Sequence, residues 1–347
     1  MLMATDRIAI LLHEGLQTSK GKTGLSLLRY GENPVVAVVD YESTGRSLAE
    51  LTGIDRPVPI VSSVMEALVY QPNVLAIGIA PSGGALPDDW WQEVKQGVAA
   101  GLSVVNGLHT PMATDPELNQ LLRPDQWIWD VRREPPGLTV GSGKARSLSC
   151  RRVLTVGTDM SVGKMSASLE LNKATQQRGL RSRFIATGQT GLMLGHDGVA
   201  LDAVRIDFAA GAVEQAVMRW GDNHDVLYVE GQGSLMNPAS TATLPLLRGT
   251  QPTQLVLVHR AGQTQIQHFP EVPIPPLPAV IQVYETVAAA GGAFAPAKVV
   301  AIALNTFHLS AAAAQRAIEQ VQAETGLPCT DVIRMGAAPL LDAILSS

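Results

Sequence analysis

The chain is short of charge, of cysteine and of long apolar runs, and each shortage removes a class of function. Of its 347 residues 16% are charged, the net charge is −5, and no run of Lys and Arg exceeds two residues (Arg132–Arg133, Arg151–Arg152). Nucleic-acid binders carry a basic stripe or patch, so no nucleic-acid partner is expected. The two cysteines, Cys150 and Cys329, are too few for a disulfide framework or a four-thiolate metal site, and read as reduced thiols of a cytosolic protein. The first apolar run, Ile8–Leu12, follows Arg7 and stops at His13-Glu14, too short for a signal peptide or a membrane span. A cytoplasmic location without membrane contact is the expectation. Aromatic residues are scarce, and Trp90–Trp91 and Trp127/Trp129 read as core or interface positions. His196, His224, His259, His268 and His308 show no HExxH or comparable spacing, so no structural zinc is expected and each reads as a satisfied polar side chain.

What is present is apolar material for two cores. The chain is 46% hydrophobic and longer than one ordinary domain of about 100–200 residues. Short β-rich runs alternate with helical stretches: Ile8–Leu12, Val35–Val39, Val74–Ile79 and Leu102–Val105 early, then Val153–Val156, Phe184–Ala186, Val226–Val229, Leu255–Val258 and Val299–Leu304. Continuous apolar strands separated by helices predict α/β architecture, two doubly wound domains with mainly parallel sheets. Glu134-Pro-Pro-Gly137 and Gly141-Ser-Gly143 break the periodicity and put a boundary near 147, giving domains 1–147 and 148–347. The stretch 269–278 holds five prolines and is expected to be an extended surface loop.

The sharpest chemical signal is Gly157-Thr-Asp-Met-Ser-Val-Gly163-Lys164-Met165-Ser166, which follows a strand candidate and opens a helix. Strand, glycine loop, lysine and helix form the context of a phosphate cradle, with backbone N–H groups and a helix N-terminus facing the anion. Gly157, Thr158, Asp159, Ser161, Val162, Gly163, Lys164, Met165 and Ser166 are the cofactor-binding candidates. The usual hydroxyl after the lysine, a metal ligand, is replaced by Met165; Ser166 stands one position on, about 100° around the helix. Val226–Val229 ends in Glu230-Gly-Gln-Gly233, placing a carboxylate at a sheet's carboxyl edge, where open sheets hold ligands. Glu230 and Asp207 are candidate Mg²⁺ ligands, with Asp159 as another oxygen donor.

A second glycine loop, Gly15 to Gly21-Lys22-Thr23, keeps the hydroxyl after its lysine but lacks an acidic strand end like Glu230. Asp40 after Val35–Val39 could meet a ribose, yet no GxGxxG precedes it. Lys22, Thr23 and Arg29 remain as a candidate anion site. Pro81-Ser-Gly-Gly84 and Asn106-Gly-Leu-His109 follow strand candidates, and His109 is the histidine suited to acid/base work.

The loop GTDMSVGKMS resembles the GTDTxVGKT loop of dethiobiotin synthetase, Glu230-Gly-Gln-Gly resembles that enzyme's EGAGG segment, and Leu304-Asn305 is similar to its adenine-reading asparagine; Met165 departs from the pattern. A second resemblance spans essentially the whole chain. Thr187-Gly-Gln-Thr-Gly191, Asp202-Ala-Val204, Asp207-Phe208, Gly211-Ala-Val-Glu214, Glu230-Gly-Gln-Gly-Ser234, Asn106-Gly-Leu-His109, Lys22-Thr23 with Leu27-Leu-Arg-Tyr30, and Gly163-Lys-Met-Ser166 resemble a two-domain family first catalogued as uncharacterised and associated with D-glutamate N-acetyltransferase activity. The resemblance implies a Rossmann-like first domain, a phosphate-loop second domain, and acetyl transfer from acetyl-CoA to the amine of a D-amino acid. His109, Glu230 and Lys164 are then the catalytic candidates, Asn305 joins the cofactor site, and Gly188 and Gln189 join Lys22, Thr23 and Arg29 around the substrate. An ATP- and Mg-dependent ligase or kinase and a non-catalytic nucleotide sensor stay open beside it, as does the choice between acetyl-CoA and ATP. A small-molecule substrate and a homo-oligomer are expected.

Overall fold

A computed structural model describes residues 2–81, 84–290 and 292–347. The chain forms two compact units, one of residues up to 133 together with 189–196, the other of residues 134–188 and 197–347. Each is built on a six-stranded parallel sheet with helices between successive strands, so the α/β reading holds in both. Among the described residues no helix is long and apolar enough to cross a membrane.

The first sheet comprises β1 (Ile8–Leu11), β2 (Val35–Val39), β3 (Ile60–Val61), β4 (Val74–Ile77), β5 (Ser103–Asn106) and β6 (Ile128–Asp130), in the order β3-β2-β1-β4-β5-β6. Side chains alternate across a strand, and β1 divides accordingly: Ala9 and Leu11 join one apolar cluster with Val94 and Val98, while Ile8 and Ile10 join another with Leu27 and Leu28. Met193, from the short helix Gln189–Met193, belongs to this second cluster. The order reverses between β1 and β4, the point at whose carboxyl edge doubly wound sheets bind ligands.

In the second unit β7 (Arg151–Gly157), β8 (Ser182–Ile185), β9 (Val226–Val229), β10 (Gln254–Arg260), β13 (Lys298–Asn305) and β14 (Cys329–Thr330) lie in the order β14-β13-β10-β7-β9-β8. β7 is thus central, and its buried end runs into Gly157. Cys150 and Cys329 are free and buried, and burial pushes the Cys329 thiol up to about 12, an inert thiol at neutral pH. The proline-rich stretch differs from its expectation. Phe269–Pro273 is a strand, β12, paired antiparallel with β11 (Gln265–Ile266) in a separate two-stranded sheet, and the helix Leu277–Ala288 begins within the run. Proline lacks a donor N–H, and a two-stranded ribbon, being all edge, tolerates that loss.

Residues 134–147 are fastened to the helix Ile206–Gly221. Its buried Glu214 accepts from Ser142 N–H and Oγ and from Lys144 N–H, at 3.2, 2.7 and 2.8 Å. One turn earlier Gly211 lies against the Thr139 carbonyl, so close that a Cβ would stand 1.8 Å from its oxygen. Because that obstacle is backbone, Gly211→Ala is expected to cost about 1–3 kcal/mol, the range for overpacking. The loss should appear as an earlier urea midpoint for the second unit; an unchanged midpoint would contradict the contact.

Candidate functional site

The residues after β7 form a cradle whose shape is fixed by absent side chains and unusual dihedrals. Ser161 has φ +56° and Gly163 φ +115°, both in the left-handed region found in anion-binding turns. A Cβ on Gly157 would stand 3.1 Å from Lys164 Nζ. The helix Lys164–Gln177 starts there, adding its N-terminal partial charge. Lys164 is buried and its ammonium donates to the Asp159 carbonyl at 2.8 Å. Cradle, buried cation and helix start together fit a phosphate group.

Long-range partners hold this loop. The Gly157 carbonyl accepts from Tyr284 Oη and Ser234 Oγ, both at 2.7 Å. Thr158 Oγ1 pairs with His259 Nδ1 at 2.9 Å on β10, and burial pushes that imidazole down to about 4, so it is neutral near pH 7. The Asp159 carboxylate accepts four bonds, from Met160 N–H and Asn237 Nδ2 on Oδ1 and from Gln263 Nε2 and Gln267 N–H on Oδ2, each 2.7 or 2.8 Å. It therefore braces the loop against the β11–β12 hairpin, and its expected part as a metal's oxygen donor conflicts with that commitment. His259 is the satisfied polar side chain expected of it, whereas Tyr284, Asn237 and Gln267 escaped sequence reasoning because no local pattern links them to the loop.

Glu230 is buried just beyond β9. Its Oε2 accepts from Thr187 and Gly188 N–H at 2.9 and 3.2 Å, so the structure brings Gly188 and Glu230 together. The next residue, Gly231, leaves room for the lysine stem: a Cβ there would stand 2.9 Å from Lys164 Cδ. Asp207 instead lies exposed in the first turn of the helix Ile206–Gly221, near Arg205. Among the described residues no group of three or more His, Cys, Asp or Glu gathers that could hold a metal. Met165 and Ser166 are half-buried in the first turn of the loop helix, and the hydroxyl that bonds into the sheet is that of Ser168, 3.0 Å from Thr155 Oγ1. Asn305 reaches the loop, donating from Nδ2 to the Val162 carbonyl at 3.0 Å, while its Oδ1 accepts from Phe307 N–H.

The first unit gathers a second set at its sheet's carboxyl edge. Thr23 is buried, 3.1 Å from Thr190 Oγ1 and 3.5 Å from Gln189 Nε2. Gln189 packs on Gly107, where a Cβ would stand 3.3 Å from its Cγ. The Gly107 carbonyl accepts from Arg132 Nε at 2.7 Å, and Asn106 binds Asp130 and the Thr110 carbonyl to shape the loop carrying His109. Partial burial and then the Arg132 charge hold the His109 ring below its ordinary range, while burial brings Arg132 down to about 10, still a cation at neutral pH. No sequence signal marks Arg132 as a site residue, because the strand before it, Ile128–Asp130, is three residues long and ends in an aspartate. Lys22 is exposed at the start of the helix Lys22–Tyr30, and Arg29 is exposed in its last turn, seven residues and about 10 Å of rise away. Of Pro81-Ser-Gly-Gly84, Ser82 and Gly83 lie outside the described residues. In the Gly15–Thr23 segment a Cβ on Gly21 would stand 2.1 Å from the Gly15 carbonyl oxygen, and Glu14 N–H just before it donates to Asp40 Oδ1.

Burial opposes ionisation of Asp159, but its four hydrogen bonds outweigh that and hold the carboxyl below its ordinary value. Its stabilisation is then complete above the usual aspartate pKa of about 3.9 and is lost as pH falls through the lower folded value. Wild type and Asp159→Ala should therefore differ in urea midpoint at neutral pH and converge in acid. A gap that persists unchanged into acid would contradict the ionised brace.

Residues 139–341 match a P-loop domain described as DUF1611_C, and residues 41–134 match the Rossmann-like domain DUF1611_N, both termed domains of unknown function. The chain is 36% identical over 281 residues to a protein of Tritonibacter scottomollicae named D-glutamate N-acetyltransferase, covering 80% of this chain and 83% of that one. A protein of the same name from a Pseudoalteromonas species is 34% identical over 277 residues, covering 79% and 82%. A crystal structure of a DUF1611 family protein from Anabaena variabilis superposes with a TM-score of 0.97 at 66% identity, covering 99% of this chain and all of that one. With a cradle at the end of β7 and matches along both units, this chain belongs to the DUF1611 family, a Rossmann-like domain followed by a P-loop domain.

Proposed function

We propose that this protein is an N-acetyltransferase that moves an acetyl group from acetyl-CoA to the amine of an acidic D-amino acid, D-glutamate being the first substrate to test. The observation that carries the proposal is the similarity, over about four fifths of the chain, to two proteins named for that reaction. Met165, standing where a nucleotide-hydrolysing loop keeps its metal-ligand hydroxyl, supports a loop that binds phosphates without cleaving them.

In the proposed reaction the neutral amine attacks the thioester carbonyl. A C–N bond forms, the C–S bond breaks, the amine proton passes to a base, and the thiolate leaves as free CoA. Lys164 and the loop N–H groups hold the donor's phosphates. His109 is our first choice of base, because its lowered pKa leaves it neutral and able to accept a proton at pH 7; Glu230, pinned by two N–H groups, is the second. Lys22, Thr23, Arg29, Gly188 and Gln189 supply charge and hydrogen bonds for the acceptor, with Arg132, bonded to the Gly107 carbonyl, as a further cation at the His109 loop.

Purified protein should release thiol and form N-acetyl-D-glutamate from acetyl-CoA and D-glutamate. Lys164→Ala should lower kcat/KM by about 100-fold, the scale for losing one preorganised charge-stabilising donor. A lowered imidazole pKa keeps the base form present through the ordinary histidine range, so the acid limb of kcat/KM should lie below about pH 6.5 and vanish in His109→Asn. Magnesium-dependent ADP release without thiol release would favour the ATP-dependent ligase or kinase instead; binding without turnover would favour the sensor.

A further inference from the structure

The Asn305 amide joins the strand end to the loop through one bond at each of its polar atoms. Nδ2 donates to Val162, and Oδ1 accepts from Phe307 N–H. The residue thus set in place is the most exposed aromatic among those described, Phe307, 72% accessible. Single exposed apolar residues are ordinary, but this one has company and a rigid seat. Ile333 and Met335, on the turn after β14, are 45% and 43% accessible, and the His308 ring stands edge-on to Phe307 at 5.5 Å.

Buried Asp331 and the side chain of Arg334 tie the two turns together. Asp331 accepts from Thr306 N–H and Oγ1 on Oδ2, and from Ile333 and Arg334 N–H on Oδ1. The Arg334 guanidinium donates to the carbonyls of Thr306, Phe307 and Leu309, at 3.3, 3.3 and 2.6 Å. The backbone that presents Phe307 is therefore fixed before any ligand arrives, which lowers the ordering cost of using it. The same strand end abuts the cradle: a Cβ on Gly163 would stand 3.6 Å from Asn305 Nδ2. A preorganised, solvent-facing ring one short turn from a phosphate site suits the flat face of a base, because base–aromatic stacking needs only a π-surface.

We propose that Phe307 is the stacking platform for the adenine of the nucleotide whose phosphates are held by the loop Gly157–Ser166. This rests on the proposed reading of that loop as the donor's phosphate site. Adenine is shared by CoA and ATP, so the binding experiment has an arm for each, and inorganic tripolyphosphate serves as a probe with phosphates but no base. Calorimetry on the whole chain should find CoA or ATP bound by wild type, about tenfold more weakly by Phe307→Ala and nearly unchanged by Phe307→Tyr, with tripolyphosphate affinity equal in all three. The ring is exposed, and matching circular dichroism spectra verify that each variant is folded. Unchanged nucleotide affinity in Phe307→Ala would overturn the platform, as would a parallel loss of tripolyphosphate or wild-type binding of tripolyphosphate alone. Wild type binding none of the three would overturn the phosphate-loop reading and the platform with it, which separates the two failures.

Discussion

Four hydrogen bonds converge on the carboxylate of Asp159, and the geometry of the phosphate loop depends on them. A glycine-rich turn is entropically costly to order, and this one contains a non-glycine residue, Ser161, in the left-handed region. Met160 closes the turn locally, while Asn237, Gln263 and Gln267 anchor it from two other segments. Tyr284 and Ser234 restrain the Gly157 carbonyl, and His259 restrains Thr158. The cradle is consequently shaped by the protein before any ligand arrives, the form of preorganisation on which electrostatic recognition depends.

Much of the fold was legible because its physics is local. Apolar runs such as Val35–Val39 and Val226–Val229 became strands with the same bounds, and their continuous hydrophobicity reflects sheets covered on both faces. The strands that escaped, Ile60–Val61, Ile128–Asp130 and Cys329–Thr330, are two or three residues long and too short to display a period. The hairpin at 265–273 was hidden by its prolines. The inclusion of 189–196 in the first unit was likewise invisible, since Thr23–Thr190 and Gly107–Met193 are contacts between distant parts of the chain.

The site divides the same way. Gly157, Gly163 and Lys164 announce themselves by spacing, whereas the bonds from Ser234, Tyr284 and Asn305 that hold the loop come from residues more than seventy positions away. Some motif residues prove to be structural. Glu214, in Gly211-Ala-Val-Glu214, binds the 142–144 turn, and Gly211 is required by the passage of the Thr139 carbonyl. Asn305 similarly bonds loop to strand end.

On our proposal the loop at Gly157–Ser166 holds the phosphates of an acyl donor. Native mass spectrometry of the whole protein with equimolar acetyl-CoA and ATP tests it most directly, with Lys164→Ala as control. Acetyl-CoA should remain bound to wild type in preference to ATP, and Lys164→Ala should retain neither. Preferential retention of ATP, or acetyl-CoA retained equally by Lys164→Ala, would contradict it.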